Sequence, residues 1–403
     1  MTSSAPHRRV AKRAETLTSW RTLLHDPLAK LSAAVPNLLL TGGGEWSTDI
    51  AMPPHLIEAA QQAISSRPQY THEYGLLPLR EAIAAKLDSE NGIAVDPETE
   101  IVVTNGATEA ICDVMLTLVE PGDEVIFGDP YYLSIYQPNV HLAGGTVVNV
   151  PTSAGDQFRL DPDAVAHAIT SRTKMIVITS PENPTGAVLD RDRLQRILDL
   201  AARHDLLVVA DEMYEKFVYG VSHVSMAALP GARERTVTLN GFSKTYGLTG
   251  YRLGYAAGPR WIIEQLAKVR YATSLCANEV SQRVGLAALR GPQDWIQPII
   301  SAYEESMRIF VEGFNAIDGV TAHTPDGAIY VFPNVAGYEM NSVDMTKYLI
   351  KEAGVANRPG SYFGSGGEGF VRFNISPVRT VAEEVVSRVT GALARVAARL
   401  NPR

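Results

Sequence analysis

The sequence predicts an α/β protein: a large domain whose mostly parallel central sheet is covered by helices on both faces, joined to a smaller α+β domain. Short β-branched runs alternate with helical patterns through the middle of the chain, as βαβ units do. Several of those runs are apolar throughout, which is expected of strands buried on both faces. The 403 residues, 45% hydrophobic and 20% charged, suffice for two or three domains with substantial cores and call for no staples.

Taken in order, strands are predicted at 101–104, 124–127, 146–150, 175–179, 206–210, 236–239 and 252–257. Helices fill the gaps. One at 107–119 is closed by the breaker Pro121-Gly122-Asp123, and one at 190–203 is opened by Asp190 in the N-cap role. An amphipathic stretch over 294–314 leads to a strand at 328–332, a helix at 344–353 and a last helix ending near Leu400. The expected organisation is a large domain at 53–290 and a small one at 291–403. Residues 1–52, too short to fold alone, are expected to form an arm and a segment docked on the small domain.

Composition narrows the function classes. The formal net charge of -8, from 44 acidic against 36 basic side chains, argues against a nucleic-acid partner, which needs a basic face. Cys112 and Cys276 are far apart and have no metal-ligand spacing, so no disulfide framework and no metal is expected, and a reducing cytoplasm fits. No apolar run approaches the roughly 18 residues of a membrane span. The basic residues between His7 and Arg13 read as a solvated arm rather than a polyanion site.

The chemistry is concentrated around Lys244, in Gly241-Phe242-Ser243-Lys244-Thr245-Tyr246-Gly247-Leu248-Thr249-Gly250-Tyr251-Arg252-Leu253-Gly254. A surface helix would not surround a lysine with glycines that weaken it by about 1 kcal/mol each, so the run implies close approach of backbone to something. In open α/β sheets ligands bind beyond the carboxyl ends of strands, and four predicted strand ends carry polar residues. Asn105-Gly106-Ala107-Thr108 opens a helix whose free N–H groups can hold a phosphate. Ser180-Pro181-Glu182-Asn183-Pro184-Thr185-Gly186 presents the Asn183 amide from a backbone fixed by two prolines. Asp211-Glu212-Met213-Tyr214 puts a carboxylate where burial is costly unless it meets a cation. Asn240 to Lys244 adds a hydroxyl and the amine.

One ligand asks for a phosphate cradle, an amine, a carboxylate for a cationic ring nitrogen, and a phenol and an amide for a ring oxygen: pyridoxal 5'-phosphate. Its aldehyde forms a Schiff base with a lysine, and its protonated ring withdraws electrons from a substrate Cα.

These residues resemble the class I/II aminotransferases, of fold type I among pyridoxal-phosphate enzymes. The likeness runs from about Asn37 to Ser376 and rests on the Lys244 run, on Tyr70 to Ala82, and on the Asn183-Pro184-Thr185-Gly186 and Asp211-Glu212-Met213-Tyr214 blocks. It implies that Lys244 carries the coenzyme and moves the proton between Cα and C4', and that Asp211 pairs with the ring nitrogen. Asn183 and Tyr214 would bond the ring oxygen, and Tyr132 would stack on the ring. Gly106, Ala107, Thr108, Ser243 and Arg252 would hold the phosphate, joined by Tyr70 from the other subunit of a homodimer. Arg372 would fork the substrate α-carboxylate, with Asn183 and Gly44 beside it. The chain departs from the family pattern after Gly44, where Trp46 and two extra residues precede Pro53-Pro54.

The implied activity is ping-pong transamination between an amino acid and a 2-oxo acid. The alternative is a lyase, synthase or oxidase of the same fold, which would present nearly the same coenzyme shell. A coenzyme-sensing transcription regulator would need a basic DNA-binding module ahead of the large domain, and only about 50 residues precede it. Trp46, His72, Glu73, Asn278 and Tyr330 are candidates for the side-chain pocket. Thr108 stands where some aspartate-preferring relatives carry a lysine, which disfavours a strict aspartate donor.

Overall fold

The computed structural model describes residues 11, 17, 27–43 and 50–400. A short helix α1 (Pro27–Ala33) and strand β1 (Leu39–Leu40) come first, followed by α2 (Pro54–Ser65) and α3 (Leu77–Lys86). The central part then runs β2 (Ile101–Thr104), α4 (Ala107–Leu118), β3 (Glu124–Asp129), α5 (Leu133–Ala143), β4 (Thr146–Pro151) and α6 (Pro162–Ala168). It continues through β5 (Thr173–Thr179), α7 (Arg191–Arg203), β6 (Leu207–Asp211), β7 (Thr236–Gly241), β8 (Gly254–Ala257), α8 (Arg260–Ser274) and α9 (Glu279–Arg290). Asp190 caps α7, accepting the Arg193 N–H at 2.8 Å.

The seven strands from β2 to β8 form one sheet in the order β2-β8-β7-β6-β5-β3-β4. The neighbours β3/β4, β3/β5, β5/β6 and β6/β7 are parallel, whereas β8 is antiparallel to both β2 and β7. Both faces of the inner strands are buried, and alternation along them shows why their runs are apolar throughout, whereas the edge strand β4 is largely exposed. Val177 and Val209 point to the face covered by α4 and α8, together with Ile111, Val114 and Leu266. Ile176, Ile178 and Val208 point to the opposite face, against Leu194, Ile197 and Leu198 of α7.

Beyond α9 come α10 (Ile296–Asn315), β9 (Tyr330–Val331), α11 (Ser342–Ala353), β10 (Val355–Ala356), β11 (Arg358–Pro359), β12 (Val371–Asn374) and α12 (Arg379–Leu400). A three-stranded antiparallel sheet has the order β11-β12-β9. The N-terminal β1 pairs in parallel with β10, with Leu39 opposite Val355. An apolar cluster runs without a break from Leu56 and Leu79 through Phe217 and Tyr303 to Phe373 and Leu393, so the two sheets share packing. Among the described residues no helix is long and apolar enough to cross a membrane.

The sheet direction corrects one sequence expectation. The strand predicted at 252–257 begins at Gly254, because Arg252 adopts the left-handed conformation with φ 52° and cannot pair. Since β8 is antiparallel, its amino end lies on the edge reached by the carboxyl ends of β2, β5, β6 and β7.

Candidate active site

That edge borders a cavity of ≈ 410 Å³ lined by residues from five strand ends and from the small sheet. Its anion-binding wall begins at Gly106, which has φ 89° and caps α4 without a side chain, leaving the first N–H groups of the helix uncommitted to a cap. A Cβ on Gly106 would fall 2.6 Å from Nη2 of Arg252, and one on Gly254 would fall 2.6 Å from the Ala107 nitrogen. The glycines therefore let the arginine approach the positive end of a helix, an arrangement that favours an anion between them. Ala107, Thr108, Ser243 and Arg252 all line the cavity, and Nη1 of Arg252 donates to the Thr249 carbonyl at 3.1 Å.

Asp211 ends β6 and is buried. Its Oδ2 accepts the Tyr136 hydroxyl at 2.5 Å and its Oδ1 accepts the Met213 N–H at 3.2 Å. Burial pushes its carboxyl up to about 6, opposed by those two hydrogen bonds and by the Lys244 charge and reinforced by Glu212. Lys244 lies just beyond β7, on the cavity wall, with Nζ 5.8 Å from the centre of the Tyr214 ring.

Arg372, on β12, is 5% exposed. Its guanidinium is held between two rings, 4.3 Å from the centre of Tyr330 and 4.9 Å from that of Phe363. Nη1 donates to Asn183 Oδ1 at 2.9 Å, and Nη2 donates to the carbonyls of Gly42 and Gly43 at 2.9 and 3.0 Å. Nε has no partner, and among the described residues no carboxylate pairs with this buried cation. Desolvation lowers its pKa from the ordinary value, the cost of burying the charge. Tyr214 and Tyr330 share a 2.7 Å hydroxyl contact, and burial followed by the Tyr330 contact pushes the Tyr214 phenol well up.

The structure thus brings together Ala107, Thr108, Tyr132, Asn183, Asp211, Tyr214, Ser243, Lys244, Arg252 and Arg372, with Gly106 behind them. Tyr70 lies apart from its own chain's cavity and is 85% exposed. Gly44 and Trp46 lie outside the described residues. Of the side-chain candidates, Tyr330 lines the cavity. His72 and Glu73 do not: they form an exposed 3.6 Å pair. Asn278 caps α9 by accepting the Ser281 N–H at 3.0 Å. Sequence reasoning missed Tyr136, Arg358, Tyr362 and Phe363. For Tyr136 a signal existed: it follows Tyr132, the N-cap of α5, by four residues, about one helical turn. For Arg358 the signal is register, since it sits directly opposite Arg372 across β11 and β12.

Behind Asp211 lies a second polar cluster. Glu215 pairs with Lys86 and accepts from Asn91 at 2.7 Å, while Glu212 accepts from Ser225 at 2.7 Å and lies 3.3 Å from His223. Burial opposes ionisation of Glu215, yet Lys86 and Asn91 hold its carboxyl below the usual range. The ammonium within the cluster makes it an internal ion pair tying α3 to the end of β6.

A family profile described as aminotransferase class I and II matches residues 41–389, and the chain belongs to that family. The aromatic-amino-acid aminotransferase 2 of Thermococcus litoralis is 37% identical over 91% of this chain and 94% of its own length. The aspartate aminotransferase of Pyrococcus abyssi is 38% identical, with 91% and 94% covered. The crystal structure of an aromatic aminotransferase from Pyrococcus horikoshii superposes with a TM-score of 0.86 at 38% identity, covering 91% of this chain and 99% of that one. The fold is that of the fold type I enzymes, and the chain is an aminotransferase.

Proposed function

We propose that the cavity holds pyridoxal 5'-phosphate and that the chain uses it to move the α-amino group of an amino acid to a 2-oxo acid in two half-reactions. The observation that carries this is one cavity collecting an amine, a buried carboxylate and a buried guanidinium whose Nε has no partner. Those groups fit the coenzyme: the Arg252 guanidinium facing a helix N-terminus suits its phosphate, and Asp211, held ionised by Tyr136, suits a cationic ring nitrogen. When bound, the coenzyme supplies an aldehyde that takes up the amino group and a ring that draws electrons from the substrate Cα.

The chain's own residues do the rest. Lys244 would hold the coenzyme through Nζ and would move the proton between the substrate Cα and the coenzyme's C4'. Asp211 holds the ring-nitrogen proton, Asn183 and Tyr214 orient the ring oxygen, and Tyr132 stacks on the ring. Gly106, Ala107, Thr108, Ser243 and Arg252 hold the phosphate. Arg372 orients the α-carboxylate with its fork, its Nη2 held by the carbonyls of Gly42 and Gly43. Tyr70, exposed on its own chain, serves the phosphate of the partner subunit in a homodimer. The wall offers Tyr362 to an aromatic side chain and Arg358 to an acidic one, so both donor classes for which the relatives are named belong in the substrate range. The division into residues 1–52, 53–290 and 291–403 follows the change from the seven-stranded to the three-stranded sheet, with β1 joined to β10. The two free cysteines suit a reducing cytoplasm.

Incubating the loaded enzyme with an amino acid and no acceptor tests the reading. One equivalent of 2-oxo acid and retention of nitrogen on the enzyme are expected. Release of ammonia instead would favour a lyase or oxidase.

A further inference from the structure

A short side-chain contact to Asp211 comes from a residue that lies behind the cavity wall. Tyr136 is wholly buried on α5 and donates its hydroxyl to Oδ2 at 2.5 Å. We propose that Tyr136 is a positioning residue for this carboxylate, keeping Asp211 ionised and aimed so that the shared proton stays on the ring nitrogen of a bound coenzyme. The proposal rests on the reading of Asp211 above and extends it one residue outward.

Geometry carries the argument. Tyr132 is the N-cap of α5 and Tyr136 lies in its first turn, donating its N–H to the Tyr132 carbonyl at 3.3 Å, so one helix start holds both the residue on the cavity wall and the residue behind it. The Tyr136 ring is fixed against Phe127, with centroids 5.3 Å apart, and cannot swing away from Oδ2 without opening the core. The Met213 N–H, the other donor to Asp211, reaches the opposite oxygen at 3.2 Å. A proton shared between a carboxylate and a ring nitrogen sits on the nitrogen only while the carboxylate is the better-stabilised anion. A hydroxyl donor to the carboxylate tips that balance toward the ion pair.

The charged groups facing Asp211 leave this task to a neutral donor. Glu212, next in the chain, opposes its ionisation, while Glu182, on the loop after β5, is itself pushed well up by burial and then by the Asp211 charge. Lys244 favours it, but that amine is consumed by the chemistry. Tyr136 keeps its own proton, because burial and then the Asp211 charge push its phenol far up. It therefore serves Asp211 as a hydroxyl donor.

The test uses coenzyme labelled with 15N in the ring, bound to the wild type and to Tyr136→Phe and Asp211→Asn variants. The wild type is expected to show the protonated 15N shift at neutral pH, and Tyr136→Phe to move it toward the unprotonated value at unchanged coenzyme stoichiometry. A wild-type shift in Tyr136→Phe beside a displaced one in Asp211→Asn overturns the role of Tyr136 and leaves that of Asp211 standing. A wild-type shift in both variants overturns both. In coenzyme-free protein the Asp211 carboxyl is followed by 13C NMR. Its midpoint should rise by roughly one to two pH units in Tyr136→Phe, and fall when 3-fluorotyrosine, a stronger donor with the same ring, replaces Tyr136. Midpoints unmoved by either change contradict the proposal even where one variant folds poorly.

Discussion

Tyr330 and Tyr214 meet edge to face with their hydroxyl oxygens 2.7 Å apart, and the same Tyr330 ring lies against the Arg372 guanidinium. The proposed carboxylate anchor and the proposed ring-oxygen phenol are thus joined through one side chain. Tyr330→Phe should leave the amino acid KM nearly unchanged, because the ring stays against Arg372. It should lower kcat about fivefold, as expected for about 1 kcal/mol of lost hydroxyl contact. Tyr330→Ala should raise KM as well. Steady-state kinetics with a single donor separates the two effects.

Arg372 makes a planar set of contacts that an ammonium cannot copy: one to Asn183 and two to the backbone of Gly42 and Gly43. Arg372→Lys should reduce kcat/KM roughly tenfold to a hundredfold, on the scale of one or two charge-assisted hydrogen bonds. Coenzyme affinity should change little. A matching loss of coenzyme affinity, measured by equilibrium dialysis, would move Arg372 out of the substrate role.

Arg252 combines a left-handed backbone, φ 52°, with its proposed role at the coenzyme phosphate. Arg252→Gly relieves the backbone and removes the cation. Coenzyme-free protein of this variant should melt no lower than wild type, while coenzyme binding weakens by an order of magnitude or so, about 1.4 kcal/mol or more. Gly106→Ala should weaken coenzyme binding too, because its Cβ would displace the Arg252 guanidinium. Thermal denaturation with and without coenzyme checks both variants.

Three buried carboxyls pushed above the ordinary range, Asp113, Asp211 and Glu182, set a pH dependence for the coenzyme-free protein. Burial raises Asp113 to about 7 and Asp211 to about 6, so between the ordinary carboxylate range and those values the folded chain binds more protons than the unfolded one. Stability should therefore rise as pH falls from about 8 toward 5. Asp113→Asn should flatten the upper part of that window, and coenzyme should flatten the lower part by pairing with Asp211. Melting temperatures across this range that increase with pH would contradict the assignment.

Much of this site is written in local patterns. The β-branched runs ending at Thr104, Thr179, Asp211 and Gly241 announce strands, and their polar sequels announce the edge where Asn183, Asp211 and Lys244 meet. Contacts that depend on register or on helix facing are not local. Tyr136 reaches Asp211 across 75 positions, and Arg358 enters the cavity because two-residue β11 happens to face Arg372. His72 and Glu73 belong to a loop whose direction no periodicity specifies, and the structure turns them to solvent. The strand expected at 328–332 shrinks to Tyr330–Val331, because φ 61° at Ala328 breaks pairing upstream.

The most direct measurement is borohydride reduction of coenzyme-loaded protein followed by peptide mass mapping. The pyridoxyl mass should fall on the peptide containing Lys244 and on no other, and Lys244→Ala should take up no label and show no transamination. Label on a different lysine, or turnover undiminished in Lys244→Ala, would contradict the account.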